Sequence, residues 1–263
     1  MIQKIVAILA DADGTLITHG DLKNFPQELP QVISRVREAG VLFNLASGRP
    51  HFEQELLFRY LIGEQYKEGE AILSEGALLQ FHGSSVVYNM GGLTSDQKRE
   101  IDIYMSEHKL DLGLVRQNNN EKYQAQTGRV TPRFIAEGIT DRDLLEKAYA
   151  QIKPAIETQF PGVEVGISAD AVDIFQSGVT KASVTQKYSE VMGIALDQVV
   201  AIGDSGNDMP MFDVVGNAGG LVIYVGENPH QEKIVRGYKQ YFIPNQKGPL
   251  GTIEALEYIL RGI

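Results

Sequence analysis

Aspartates fall in this chain at spacings that crowd carboxylates together. Asp11 and Asp13 are separated only by Ala12, and alternation along an extended backbone would point both side chains to one side. Asp204 and Asp208 form a second pair in Gly203-Asp204-Ser205-Gly206-Asn207-Asp208. Like charges held that close repel and raise a pKa unless a cation lies between them. The chemistry on offer at Asp11 and Asp13 is therefore a divalent metal, an acid/base pair, or both. Ala46-Ser47-Gly48-Arg49 adds a hydroxyl and a guanidinium, and Gly178-Val179-Thr180-Lys181 an ammonium. With a formal net charge of −10, the chain would need such local positive groups to hold an anionic substrate.

These residues need elements to position them. Residues 6–10 are an apolar run that stops on Asp11, as a central strand of a parallel sheet covered on both faces would. Leu29, Val32, Ile33 and Val36 recur at helical spacing up to Gly40, and 41–46 is a second strand ending at Ser47. A helix over 51–62 and a strand at 71–73 continue the β-α-β order, which predicts a doubly wound parallel sheet. From about residue 78 the texture changes: a hairpin around 82–84, a helix from 95 to 108, short strands near 112–116, 122–127 and 133–136, a helix over 141–159 and strands at 163–167 and 172–175. The first rhythm resumes at 180, with a helix to Gly193, a strand at 199–202 ending before Asp204, a helix over 207–215, a strand at 221–225 and a helix at 250–261. The expected architecture is α/β: a Rossmann-like core of residues 1–83 and 177–263, with an inserted α+β domain at 84–176. Asp11, Ser47, Lys181 and Asp204 each begin the segment after a strand, and in a doubly wound sheet such positions converge on one edge.

Taken in order, Asp11-Ala12-Asp13-Gly14-Thr15, Ser47-Gly48-Arg49, Lys181 and Gly203-Asp204 to Asp208 resemble the motif set of the haloacid dehalogenase-like phosphohydrolases. The subgroup is the one with a large α/β cap between the second and third motifs, class IIB. The resemblance implies Asp11 as the nucleophile that becomes an aspartyl-phosphate, and Asp13 as the residue that handles the leaving-group proton. Ser47 and the Gly48 amide would bind a phosphoryl oxygen, and Lys181 would hold Asp11 ionised. Asp204 and Asp208, with Asp11 and the Asp13 carbonyl, offer a hard all-oxygen site suited to Mg2+. Gly48, Arg49 and Asn207 are expected substrate contacts. Plainer roles stand beside these. Ser47 could cap the next helix, Asn207 could be an N-cap, Lys181 could be a solvated surface lysine, and Arg49 could pair with a core carboxylate. Three positions depart from the usual pattern: Ala12 is small, Ser47 replaces a commoner Thr, and Glu75 stands where relatives often carry Asn.

Other classes lack a motif. The chain has no cysteine, so disulfides, thiolate metal sites and Cys nucleophiles are excluded. No Gly-x4-Gly-Lys-Ser/Thr loop, Gly-x-Gly-x-x-Gly or His-Glu-x-x-His occurs. The acidic balance argues against nucleic acid and anionic membranes, and no run is long enough for a signal or a spanning helix, so a cytoplasmic protein is expected. A homodimer is compatible with the sequence. The expected function is a Mg2+-dependent phosphatase for a small phosphorylated metabolite, a sugar phosphate or phosphorylated acid. The alternatives are a phosphomutase on the same scaffold and, from another class, a non-catalytic phospho-switch, which would have no use for Asp13 or a cap. In the insertion, Arg116, Asn118, Lys122, Arg129 and Arg133 are candidate substrate contacts, most of them expected to be plain surface.

Overall fold

The computed structural model describes residues 4–18, 20–49, 51–74, 78–110, 115–116, 133–135, 142–167 and 171–262, with backbone only at 115–116, 133–135, 142 and 171. The apolar run near the amino terminus forms β1 (Ala7–Ala10), whose four side chains are all sealed from solvent. It lies between two parallel neighbours, β2 (Leu42–Ser47) and a later strand, Val199–Gly203, here β10. Because successive side chains alternate, Ile8 and Ala10 enter one core cluster while Ala7 and Leu9 enter the other. The first cluster gathers α1 (Leu29–Glu38), α2 (His51–Ile62) and the carboxyl-terminal helix Gly248–Gly262, α8. The second gathers α5 (Lys181–Met192), α6 (Met209–Ala218) and a short α7 (Pro229–Val235). Helices on both faces of a mainly parallel sheet are what doubly wound means physically.

The sheet has eight strands. Beyond β2 come β3 (Ala71–Ser74), β4 (Leu78–Phe81) and β5 (Val87–Asn89); beyond β10 come β11 (Leu221–Tyr224) and β12 (Gln240–Phe242). Pairing is parallel from β12 to β3, then antiparallel through β4 and β5. The hairpin expected around 82–84 thus extends this sheet, with Leu79 buried in its core and Phe81 and Tyr88 packed against it. Short elements that the sequence reading passed over are β12, α7 and a 3-10 turn at Leu196–Gln198.

The chain divides into two compact units, Met1–Met90 with Thr180–Ile263, and Gly91–Val179. The sequence pattern predicts an insertion at 84–176; strand Val87–Asn89 pairs in the large sheet, residues 84–90 belong to the first unit, and 177–179 belong to the second. The second unit carries α3 (Ser95–Glu107), α4 (Arg142–Gln159) and a four-stranded antiparallel sheet. Its strand order is β6 (Val115–Arg116), β7 (Arg133–Ile135), β9 (Ala171–Gln176), β8 (Val163–Ile167). The strand expected at 122–127 lies outside the described residues. Among the described residues no helix is long and apolar enough to cross a membrane.

Candidate active site

Asp11 leaves β1 at the level where its neighbours also end, and its amide donates to the Ile202 carbonyl of β10 at 2.9 Å. Its carboxylate is 4% exposed. The Lys181 Nζ donates to Asp11 Oδ1 at 2.7 Å and to Asp208 Oδ1 at 2.6 Å, so two buried carboxylates share one buried ammonium. Lys181 is the first residue of α5, set there because the Thr180 hydroxyl caps that helix by accepting from the Ala182 amide. The solvated alternative for Lys181 is thereby removed. Asp208 Oδ2 accepts from the amides of Asp204 and Ser205, each at 3.0 Å, which folds the loop after β10 back on itself. Asp204 accepts from the Thr15 hydroxyl at 3.0 Å, tying the loop after β1 to the loop after β10. One carboxylate oxygen from each of Asp11, Asp204 and Asp208 lies within 4.8 Å of the others.

Two glycines make that crowding sterically feasible. Gly14 has φ 74°, and a Cβ there would lie 2.4 Å from Asp204 Oδ2. A Cβ at Gly203 would meet Asp208 Cγ at 2.4 Å. Both positions are close approaches of backbone to carboxylate, where only a missing side chain fits.

Asp13 is paired with an arginine. Arg49 Nε and Nη2 donate to its two oxygens at 2.6 and 2.7 Å, while Nη1 donates to Glu53 on α2 at 2.7 Å. Arg49 thus pairs with two carboxylates of the protein, both partly exposed. Ser47 is buried, and its hydroxyl accepts from the Arg49 amide at 3.2 Å, in the turn that leads to α2. Gln54, fully buried on α2, donates to the Ser47 carbonyl and to the Ser74 hydroxyl, holding the end of β2 against that of β3. Asn207 is exposed in the turn Gly206–Asp208, where its side-chain oxygen accepts from the Ser205 hydroxyl. The amide of Gly48 belongs to the same turn as Ser47. Glu75, Asn118, Lys122 and Arg129 lie outside the described residues, and Arg116 and Arg133 are placed only as backbone, in β6 and β7.

The family model described as haloacid dehalogenase-like hydrolase matches residues 8–133 and 115–219, most of the chain and all four motif segments. The chain belongs to that family. Phosphoglycolate phosphatase of Methanosarcina acetivorans is 33% identical over 115 residues, which is 44% of this hydrolase and 46% of that protein. Pyridoxal phosphate phosphatase of Escherichia coli is 24% identical, covering 82% of this chain and 86% of its own. Among solved structures, a protein of Thermoplasma acidophilum superposes with a TM-score of 0.70 at 14% identity, over 99% of this chain and all of that one, a likeness of fold. The hydrolase is thus of the phosphoric monoester kind.

The electrostatics of the hydrolase explain why these groups sit together. Burial pushes Asp11 up to about 8; Lys181 pulls it down, and Asp208 and Asp204 push it up again. Burial, followed by Asp208, pushes Asp204 up to about 7. Burial works against the charge of Lys181, but Asp11 and Asp208 outweigh it and raise its pKa. Lys181 alone therefore leaves the three carboxylates short of positive charge. A hard divalent cation among oxygen donors would supply it, so the residues present fit Mg2+. Asp208 has Oδ1 on Lys181 and Oδ2 on two amides, which makes it the brace of the cluster as much as a donor. Thr15, Glu53 and Gln54 were not singled out from the sequence. Thr15 stands inside the first motif and Gln54 on one helix face with Leu57, Phe58 and Leu61, signals by which those two could have been found; no signal marks Glu53.

Proposed function

We propose that this hydrolase is a Mg2+-dependent phosphatase that cleaves a small phosphorylated metabolite, a sugar phosphate or phosphorylated acid, through an aspartyl-phosphate on Asp11. The observation that carries the reading is the buried Asp11 carboxylate, held by Lys181 and crowded by Asp204 and Asp208. An Asp11 oxygen attacks phosphorus, the bond from phosphorus to the leaving oxygen breaks, and Asp13 gives that oxygen its proton. Water then attacks the same phosphorus, Asp13 takes the water's proton, and the bond from phosphorus to Asp11 breaks to release phosphate. Lys181 screens the charge of the dianionic phosphoryl group as it approaches a carboxylate, and Ser47 with the Gly48 amide supplies donors to its oxygens. Asp11, Asp204 and the Asp13 carbonyl, braced by Asp208, would hold the cation, whose contribution is to neutralise charge on the transferring group. Proton transfer of the kind assigned to Asp13 is worth about 10²–10⁴-fold in rate.

Relatives that act on phosphoglycolate and on pyridoxal phosphate support a small phosphorylated substrate. Selection among such substrates is assigned to the unit Gly91–Val179, inserted between the second and third motifs. The test is phosphate release from a panel of sugar phosphates, phosphoglycolate and pyridoxal phosphate with Mg2+. Turnover that persists undiminished in excess chelator, or in Asp11→Asn, would overturn the reading.

A further inference from the structure

We propose that Arg49 is a positioning residue that aims Asp13, with Glu53 as its anchor: a guanidinium fork on the acid/base carboxylate, itself fixed to the first turn of α2. The inference rests on the role assigned to Asp13 above. Asp13 is held in a bridge with Ile17, next to Gly14 at φ 74°, with its side chain partly exposed, and the Gly20 amide donates to its Oδ1 at a long 3.4 Å. Arg49 adds shorter, charge-assisted contacts. Its Nε and Nη2 donate to the two oxygens of Asp13 at 2.6 and 2.7 Å, a planar two-point contact that fixes rotation as well as distance. Its third nitrogen, Nη1, donates to Glu53 Oε2 at 2.7 Å, and the Arg49 side chain is only 14% exposed.

Each nitrogen of the guanidinium thus donates to a carboxylate of the protein, through three of its five N–H groups. These contacts tie the proton-handling group to a helix. The turn between Ser47 and α2 also fixes the height of the fork, since the Arg49 amide donates to the Ser47 hydroxyl and the Arg49 carbonyl accepts from Gln54. The Ser47–Arg49 segment and the aim of the acid are therefore parts of one local structure. A small misplacement of a proton-transfer group costs up to about 10²-fold in rate.

The experiment compares two probes that differ in their need for a proton on the leaving oxygen, β-glycerophosphate and p-nitrophenyl phosphate, with Mg2+. Asp13→Asn, Arg49→Gln, Arg49→Lys and Glu53→Gln are measured for kcat and KM on both. In Asp13→Asn the loss of kcat is expected to fall mainly on the alkyl ester. Arg49→Gln should show the same bias, losing about tenfold more on β-glycerophosphate than on the aryl ester with KM for both little changed. Arg49→Lys, able to reach one oxygen, should recover part of that loss, and Glu53→Gln should fall in the same direction by less. Equal losses on both esters in Arg49→Gln, or a loss carried by KM, would show a structural or substrate-binding arginine and overturn the inference while leaving Asp13 in its role. Absence of the bias in Asp13→Asn would overturn the role of Asp13 first, and the inference with it.

Discussion

Asp11 is a carboxyl that folding moves into the company of other carboxyls. Its pKa rises from 3.8 in the free side chain to about 8, chiefly through burial, and that of Asp204 to about 7. Between about pH 4 and those values the folded protein retains a proton that the unfolded chain has released. Stability from these groups is therefore present at low pH and is lost as pH rises toward 8. Without metal, Asp11→Asn and Asp204→Asn should each melt at higher temperature than the wild type at pH 8, with the difference shrinking toward pH 5. Mg2+ should raise the wild-type melting temperature and narrow the gap, because a ligand bound only by the folded state stabilises it. Differential scanning calorimetry in chelator and in Mg2+ checks this; identical melting of all three proteins at pH 8 would contradict it. Asp11→Asn should also abolish turnover with an unchanged circular dichroism spectrum. The convergence of Asp11 and Asp204 was legible because each follows a strand of the large sheet; Lys181 follows β9 of the other sheet and joins them as the first residue of α5. The fork of Arg49 on Asp13 was not legible, since spacing restricts where a backbone goes and leaves side-chain torsions open.

At the scale of elements, the large sheet is held by polar struts that run through its apolar packing. Arg37 on α1 donates from Nε and Nη2 to Glu70 just before β3, at 2.7 and 2.9 Å, and the Glu70 side chain is fully buried. Asn44 in β2 donates to the Ile8 carbonyl and the Tyr188 hydroxyl and accepts from the Ala71 amide, so β1, β2, β3 and α5 meet at one side chain. Such groups are stable only as a set. Glu70→Ala should lower the free energy of unfolding by about 3–5 kcal/mol, because it strands a buried guanidinium. Asn44→Leu should cost about 1–3 kcal/mol through the amide of Ala71 left unpaired, while the Tyr188 hydroxyl keeps its bond to the Gly69 carbonyl. Urea unfolding measures both, and a loss under about 1 kcal/mol for Glu70→Ala would mean that the pair is dispensable. Strands such as 41–46 were readable as apolar runs. What the run could not reveal is that Asn44 in its middle is a junction, or that β4 pairs with β3 and β5 with β4 at the sheet edge, since pairing partners are chosen by the whole fold. The three-residue β12 and seven-residue α7 are too short to show a period.

The whole molecule is two cores threaded by one chain. Among the described residues, the cluster built from Leu93, Ile101, Met105, Leu145, Ile152, Val165 and Ile174, with its fellows, draws only on residues 93–174, whereas the two clusters of the large sheet draw on none of them. Each sheet likewise closes its pairing within its own unit. Since apolar burial is the main favourable term in folding, a unit that shares no cluster with the rest can be removed without opening the core of the other. Replacing residues 91–179 by a short Gly/Ser linker, with Thr180 kept to cap α5, should leave a protein of residues 1–90 and 180–263 that unfolds cooperatively. Asp11, Asp13, Ser47, Lys181, Asp204 and Asp208 all remain in it. It should hydrolyse p-nitrophenyl phosphate slowly, because an activated leaving group asks little of Asp13 and of contacts to the rest of the substrate. Its kcat/KM values across a panel of phosphorylated metabolites should converge, since selection is assigned to the removed unit. A truncated chain that fails to fold would contradict the independence of the two cores, and one that folds and keeps the wild-type order of preference would move the reading of substrate into the large unit.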